Sequence, residues 1–470
     1  MSIFVGREKH ITELRSFFRD PARSRLTVIH GRKDIGKTRL VTEAYNNRKL
    51  LHFEGLRGAG TAQQKKHFGE TLYRISGKPE HANLGSANWE KLLVLLAEYV
   101  RKEPCVVFFD EFPVMAAGRN ELLTKIKYVW DNYFVKNGGV HLILSGSSTS
   151  AIVKKVISTP VLSGRVDRVI FLKPLTFGEV KKGFFGKVDV QDALEYYLVM
   201  GGIAKYMDLY DQGGTVRQNL AHLCFKPGCY FLNEPDRLFS YHFQESPHYR
   251  AITEFLAGRS FSGRNDIADE LGIKSGGTMS NLLKSLNSAG FVEGSGSVHK
   301  PNYRKNKKFR LTDNFLSFYY SFMCHWSSRI QKNGHAVDLY QALPDKLYDK
   351  YLELAMKKFC YQHAEEIAEK MGFEDQKYEY GAWYEVDGVT SSTPIELVFR
   401  RDDKAVFLCD IKYRHRLHAG FDDDGEKSLE VLGRYYNQPI HRVLISAFPS
   451  SRLPSGNRAY HHVFSADSFG

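Results

Sequence analysis

Short apolar runs alternate with amphipathic stretches along this chain, and their spacing predicts its elements. Ile11, Leu14 and Phe17 recur at helical intervals within residues 3–20, the mark of an amphipathic helix. Arg25–His30 is a β-branched run suited to a buried strand, and helix-compatible residues run from Arg39 to Tyr45. Cys105-Val-Val-Phe-Phe109, His141-Leu-Ile-Leu144 and Val169-Ile-Phe-Leu172 predict further buried strands. Residues 247–312 read as three helices and a hairpin: Tyr249–Phe255, Asn265–Leu271, Thr278–Leu286, then Phe291-Val292 and Lys308–Leu311. The glycine-containing turn Gly272–Gly277 gives the second and third helices helix-turn-helix spacing. From Leu347 the pattern resets, with Leu352, Ala355, Met356 and Phe359 on one helical face. Ala382–Val386, Thr393–Phe399 and Lys404–Lys412 then predict three strands, the last two joined by a turn at Arg400–Lys404.

The chemistry sits where these elements end. Gly31-Arg-Lys-Asp-Ile-Gly-Lys-Thr38 follows the first strand and opens a helix, which is the context of a phosphate-binding loop. Its glycines let successive N–H groups face phosphates, and the helix N-terminus adds positive partial charge. Lys37 is placed for the β/γ-phosphates and Thr38 for Mg²⁺. Candidate nucleotide contacts are Gly31, Asp34, Ile35, Gly36, Lys37, Thr38 and Arg39, with Ser145 offering a hydroxyl from the third strand and Ser147 next in line. Asp110 ends an apolar strand, which suits Mg²⁺ orientation, and Glu111 is placed to polarise the attacking water. Arg165 is either a charge presented to a neighbouring subunit's nucleotide or an arginine paired locally. Val5-Gly6-Arg7 either covers an adenine or leads a packing helix.

Two further constellations concern nucleic acid. Thr278, Ser280, Asn281 and Lys284 are the groove-facing candidates of the third helix, and Arg304, Lys305, Lys307 and Lys308 make the wing loop a phosphate contact. A rigid lid or protein-contact module is the other reading of the same segment. Near the C-terminus, Glu396 and Asp410 fall on adjacent predicted strands, with Lys412 two residues beyond Asp410 and Glu353 on the preceding helix. Two carboxylates converging with a lysine are what metal-assisted phosphodiester hydrolysis needs: Glu396 and Asp410 as Mg²⁺ ligands, Lys412 positioning the nucleophile. His415, His418 and the acidic run Asp422–Glu426 read as a solvated loop rather than a second metal site.

Composition sharpens this picture. A length of 470 residues suggests about two to four domains. No apolar run approaches the roughly 18 residues of a membrane span, and the N-terminus lacks a signal-peptide core. The six cysteines are scattered, with only Cys224 and Cys229 close together, so a reduced, cytoplasmic protein is expected. A net charge of +13 favours a polyanionic partner.

Val5-Gly6-Arg7-Glu8, the Gly31–Thr38 loop, Phe109-Asp-Glu-Phe112, Leu144-Ser-Gly-Ser-Ser148 and Gly164-Arg165 together resemble the archaeal-type AAA/STAND-like P-loop ATPase family, which also occurs in bacteria. Lys173-Pro-Leu-Thr-Phe177 and Met200-Gly-Gly-Ile-Ala-Lys-Tyr206 look like its later landmarks, although Ala204 stands where the family usually has proline. Gly201 and Gly202 are the candidate positions there. The C-terminal pattern resembles the PD-(D/E)xK endonuclease core often joined to such ATPases, with Glu396 in place of the usual aspartate. The resemblance implies an α/β fold with an ATPase core at 1–175, a helical lid at 176–240 and a winged helix at 241–320. A linker at 321–345 and a nuclease-like domain at 346–470 would complete it. It implies ATP and Mg²⁺ as cofactors, DNA as partner and a homo-oligomer, ring or dimer. The expected function is a nucleotide-regulated, Mg²⁺-dependent DNA endonuclease in defence or mobile-element biology. A STAND-like signalling switch that binds without cleaving, and a DNA-binding regulator, stay open beside it.

Overall fold

The computed structural model describes residues 4–81, 84, 87–101, 103–116, 121–147, 152, 156–243, 246–299, 307–333, 336–385, 394–413, 423–448 and 460–470. The chain forms two compact units. The first comprises Met1–Pro174 with Ile203–Lys205 and Tyr241–Phe243, and the second comprises the rest.

In the first unit, α1 (Glu8–Ser16) precedes β1 (Arg25–His30), and α2 (Lys37–Ala44) follows it. Then come β2 (Leu50–Glu54), α3 (Thr61–Ser76), α4 (Trp89–Val100), β3 (Cys105–Asp110), α5 (Glu121–Val129), β4 (Val140–Gly146) and β5 (Arg168–Phe171). The strands form one parallel sheet in the order β2-β3-β4-β1-β5. Every residue of β3 and β4 is buried, as a parallel sheet covered on both faces requires. Phe53, Phe68, Trp89 and Phe109 pack into the same core. Polar groups inside it are paired. His141 on β4 lies 2.8 Å from Thr27 Oγ1 and 2.7 Å from the Tyr45 hydroxyl. The Tyr45 proton goes to the Leu14 carbonyl, so His141 Nδ1 donates to Tyr45 and Nε2 accepts from Thr27. Burial holds this imidazole neutral, its pKa depressed to about 3.

The second unit begins at Leu175 and carries α6 (Val190–Met200) and most of α7 (Glu234–His242). Gly202 packs here: a Cβ would stand 1.9 Å from the Leu175 carbonyl oxygen, so it marks a close backbone approach, while Gly201 ends α6 with φ 70°. Next come α8 (Pro247–Ala257), β6 (Ser262–Gly263), α9 (Arg264–Glu270), α10 (Gly277–Ser288), β7 (Val292–Ser295) and β8 (Lys308–Leu311). The three short strands pair antiparallel in the order β6-β8-β7. The chain continues through α11 (Asn314–Phe318), α12 (Asp345–Gln362), α13 (Ala364–Lys370), β9 (Tyr378–Trp383), β10 (Ile395–Arg401) and β11 (Val406–Lys412). It ends with α14 (Asp423–Gly433), β12 (Ile440–Ser446) and β13 (His462–Phe464). The last five strands form a mixed sheet in the order β13-β12-β11-β10-β9. Apart from Ile203–Lys205 and Tyr241–Phe243, the segments expected as lid, winged helix, linker and C-terminal domain fall within this one unit.

One irregularity in this sheet decides where its acidic side chains point. Against β9, Ile395 pairs with Trp383 but Val398 pairs with Gly381, so β10 carries an extra residue between them. Ile395 and Val398 therefore both pack with Trp383, Leu408 and Leu432 of α14. A strand alternates faces at every residue, and this bulge turns Glu396 to the opposite side, toward Lys357 of α12.

Candidate functional site

The first unit brings the loop after β1 against the ends of β3 and β4. Gly36 caps α2 with φ 98°, a left-handed conformation natural to glycine. Asp34 and Glu111 also hold positive φ, at 62° and 49°, and such backbone strain gathers at functional sites. Lys37 is buried. Its ammonium donates to the Arg32 carbonyl at 3.1 Å, to the Gly31 carbonyl at 3.4 Å and to Ser147 Oγ. Burial lowers its pKa, against the opposing charges of Glu111, Asp110 and Asp34. Ile35 is buried and Arg39 exposed.

Thr38 Oγ1 donates to Asp110 Oδ2 at 2.6 Å across 72 residues of sequence. Ser145 Oγ donates to the other oxygen of Asp110, because β4 lies beside β3. His52 Nε2 stands 3.5 Å from Asp110. Burial would raise the Asp110 pKa, but the nearby His52 and the hydroxyls of Ser145 and Thr38 outweigh it and keep the carboxyl below its usual range. A hydroxyl beside a buried, ionised carboxylate at the mouth of a glycine loop is an oxygen donor set that fits Mg²⁺. Ser147 donates to Glu111 Oε1. Arg165 is committed elsewhere, donating to Asp131 from Nε at 2.7 Å and Nη2 at 2.8 Å. Arg7 donates to the Lys173 carbonyl at 2.7 Å.

Three residues beside this cluster carry no local mark in the sequence: His52, Arg57 and Tyr241. The Arg57 guanidinium lies 3.5 Å from the centre of the Tyr241 ring, and Ser147 and Glu111 act on the Tyr241 hydroxyl. His52 sits in the middle of β2, outside any motif, and Tyr241 is 184 residues from Arg57.

In the second unit, Thr278, Ser280, Asn281 and Lys284 lie exposed along α10, while Met279, Leu282, Leu283 and Leu286 are buried. Arg264, not anticipated, donates to Ser280 at 3.3 Å and to Ser275 at 3.1 Å. Lys307 is exposed. Lys308 differs from expectation: it is half-buried with its ammonium 4.4 Å from the Tyr384 ring centre, and burial lowers its pKa. Arg304 and Lys305 lie outside the described residues, as do His415, His418 and Asp422.

The expected metal constellation at Glu353, Glu396, Asp410 and Lys412 is corrected by the structure. Asp410 faces α14 and accepts from Arg442 Nη2 at 2.9 Å, and Lys412, two residues on, shares that side by alternation. Glu396 faces α12, where Lys357 Nζ is 3.6 Å away and where it also acts on Lys308, Arg310 and Lys358. Glu353 is half-buried one helical turn before Lys357 on α12. The bulge sends the two carboxylates to opposite faces, each balanced by cations. Among the described residues no group of three or more His, Cys, Asp or Glu is placed to hold a metal.

A parallel sheet with β4 between the glycine-loop strand and the acidic strand is the strand order of a P-loop fold. Residues 4–208 match the family model described as an ATPase domain predominantly from Archaea. An uncharacterized protein of Methanocaldococcus jannaschii is 25% identical over 415 residues, covering 88% of each chain. The Walker-type ATPase of Pyrococcus abyssi shares the fold, with TM-score 0.51 and 17% identity over 67% of this chain and 96% of its own. The ORC2 protein of Aeropyrum pernix is more loosely similar, with TM-score 0.42 and 16% identity over 77% of this chain and 96% of its own. No helix among the described residues is long and apolar enough to cross a membrane.

Proposed function

We propose that the protein is an ATP-hydrolysing switch whose second unit engages DNA. The observation that carries the first half is the Thr38–Asp110 hydrogen bond, which joins loop and acidic strand at one point. Thr38 and Asp110 would hold Mg²⁺, which when bound neutralises phosphate charge. Lys37 binds the phosphates, the loop N–H groups orient them, and Glu111 takes a proton from the attacking water. For the second half, support comes from the exposed polar face of α10, with Arg264 beside it, and from the net charge of +13.

The endonuclease reading loses its basis, because Glu396 and Asp410 are each engaged by cations on different faces. Binding of a fluorescent ATP analogue and release of phosphate test the proposal. Lys37→Ala is expected to abolish binding. Glu111→Gln is expected to keep binding and slow turnover by about 10²- to 10⁴-fold, the usual range for a general base. Supercoiled plasmid incubated with Mg²⁺ and ATP should stay intact. Nicking lost in Asp410→Ala would restore the nuclease reading, and absence of nucleotide binding in the unaltered protein would end the switch reading.

A further inference from the structure

Lys37, Ser147 and Glu111 form one row of hydrogen-bonded side chains, with the Tyr241 hydroxyl beside Ser147 and Glu111. Lys37 Nζ donates to Ser147 Oγ, and the Ser147 proton goes to Glu111 Oε1. The groups that would address a phosphate and a water are thus bonded to one another. Tyr241 is held firmly in place: Arg57 lies over one side of its ring at 3.5 Å, Lys33 Nζ is 4.9 Å from the ring centre, and Arg57 Nη2 donates to its carbonyl at 3.4 Å. The next residue, His242, accepts from the Lys33 backbone N–H in the phosphate loop at 3.4 Å. Burial and the charge of Glu111 raise the Tyr241 pKa, so the phenol remains a proton donor at neutral pH.

We propose that Tyr241 is a positioning residue that restrains Glu111, its hydroxyl occupying the carboxylate in place of the substrate water until the Tyr241–Phe243 segment moves. This restraint rests on the proposed role of Glu111 as the base. A triphosphate arriving at the loop draws Lys37 away from Ser147, which loosens one hold on Glu111 and leaves the other. The remaining hold is set by a segment that joins the first unit for three residues only, Tyr241–Phe243, between two stretches of the second unit. Events in the second unit therefore reach the base along continuous chain.

The test is a mutant cycle on the full chain. Tyr241→Phe removes the hydroxyl and keeps the ring under Arg57, so the fold is retained. Tyr241→Met removes ring and hydroxyl together and checks the same point independently. Both are expected to raise kcat about ten- to a hundredfold, the size of one hydrogen bond to a charged group, with affinity for a fluorescent ATP analogue unchanged. In a Glu111→Gln background the same substitutions should change nothing, because the effect runs through Glu111. An unchanged or lowered kcat overturns the restraint, as does a rise that persists in the Glu111→Gln background. If Glu111→Gln alone turns over as fast as the unaltered protein, the assignment of the base is what fails, and the two outcomes are thereby separated.

Discussion

Lys358 shows how one buried charge couples chemistry to stability. Its ammonium donates to Ser317 Oγ at 2.9 Å and to the Ala257 carbonyl at 3.2 Å. Burial first, and the neighbouring Arg310 second, push its pKa down to about 7, against Glu396 and Asp313. An unfolded lysine titrates near 10.4, so between about pH 7 and pH 10 the unfolded chain holds a proton that the folded chain has lost. Stability from this group therefore rises with pH across that window, and the full cost of burying the charge is present below about pH 7. Lys358→Met should raise stability more at pH 6 than at pH 9, by a difference on the order of 2 kcal/mol. Paired denaturant titrations at the two pH values check this, and an equal gain at both would mean the buried amine keeps its proton as it does in the unfolded chain, its pKa not lowered. Arg310 beside it is sandwiched between Phe261 at 4.4 Å and Tyr361 at 3.1 Å, so Glu396 serves as counter-charge to a cationic cluster.

Among elements, α10 and β8 make opposite use of their lysines. Lys284 is exposed on α10, whereas Lys308 lies over the Tyr384 ring. Lys284→Ala is expected to weaken DNA binding and to flatten the dependence of log affinity on log salt by about 0.9. Lys308→Ala should leave that slope unchanged and lower the melting temperature instead. Binding measured from about 50 mM to 200 mM salt separates them, and equal slopes for Lys284→Ala and the unaltered protein would remove α10 from the interface. The same contrast explains what the sequence disclosed. The Gly31–Thr38 loop and the Asp110 strand end are local patterns, each legible from its own spacing, and Thr38 and Asp110 stand side by side in the structure. The carboxylate pair depended on the parity of β10, and a single extra residue between Ile395 and Val398 reverses parity without any compositional signal. Arg57 and Tyr241 meet across 184 residues, a distance over which no periodicity speaks. Lys308 looked like wing surface because its neighbours are basic, whereas the aromatic ring covering it comes from Tyr384, far along the chain.

At the scale of the whole molecule, two compact units should unfold as separable transitions, and only the first holds the phosphate loop. A nucleotide present at about 100 times its dissociation constant stabilises its own unit by about 2.7 kcal/mol. Calorimetry with ATP and Mg²⁺ is expected to move one transition upward and leave the other in place, and Lys37→Ala should cancel the shift. A shift of both transitions together would mean that the units unfold as one.

The brief return of the chain at Tyr241–Phe243 also bears on chimeras. A graft that exchanges everything after Pro174 for another tail carries Tyr241 away with the donated portion. The recipient keeps its own phosphate loop and its own Glu111, yet inherits whatever side chain the new tail lays beside them. The tempo of an engineered hybrid would then be chosen by the half that contains none of the catalytic machinery.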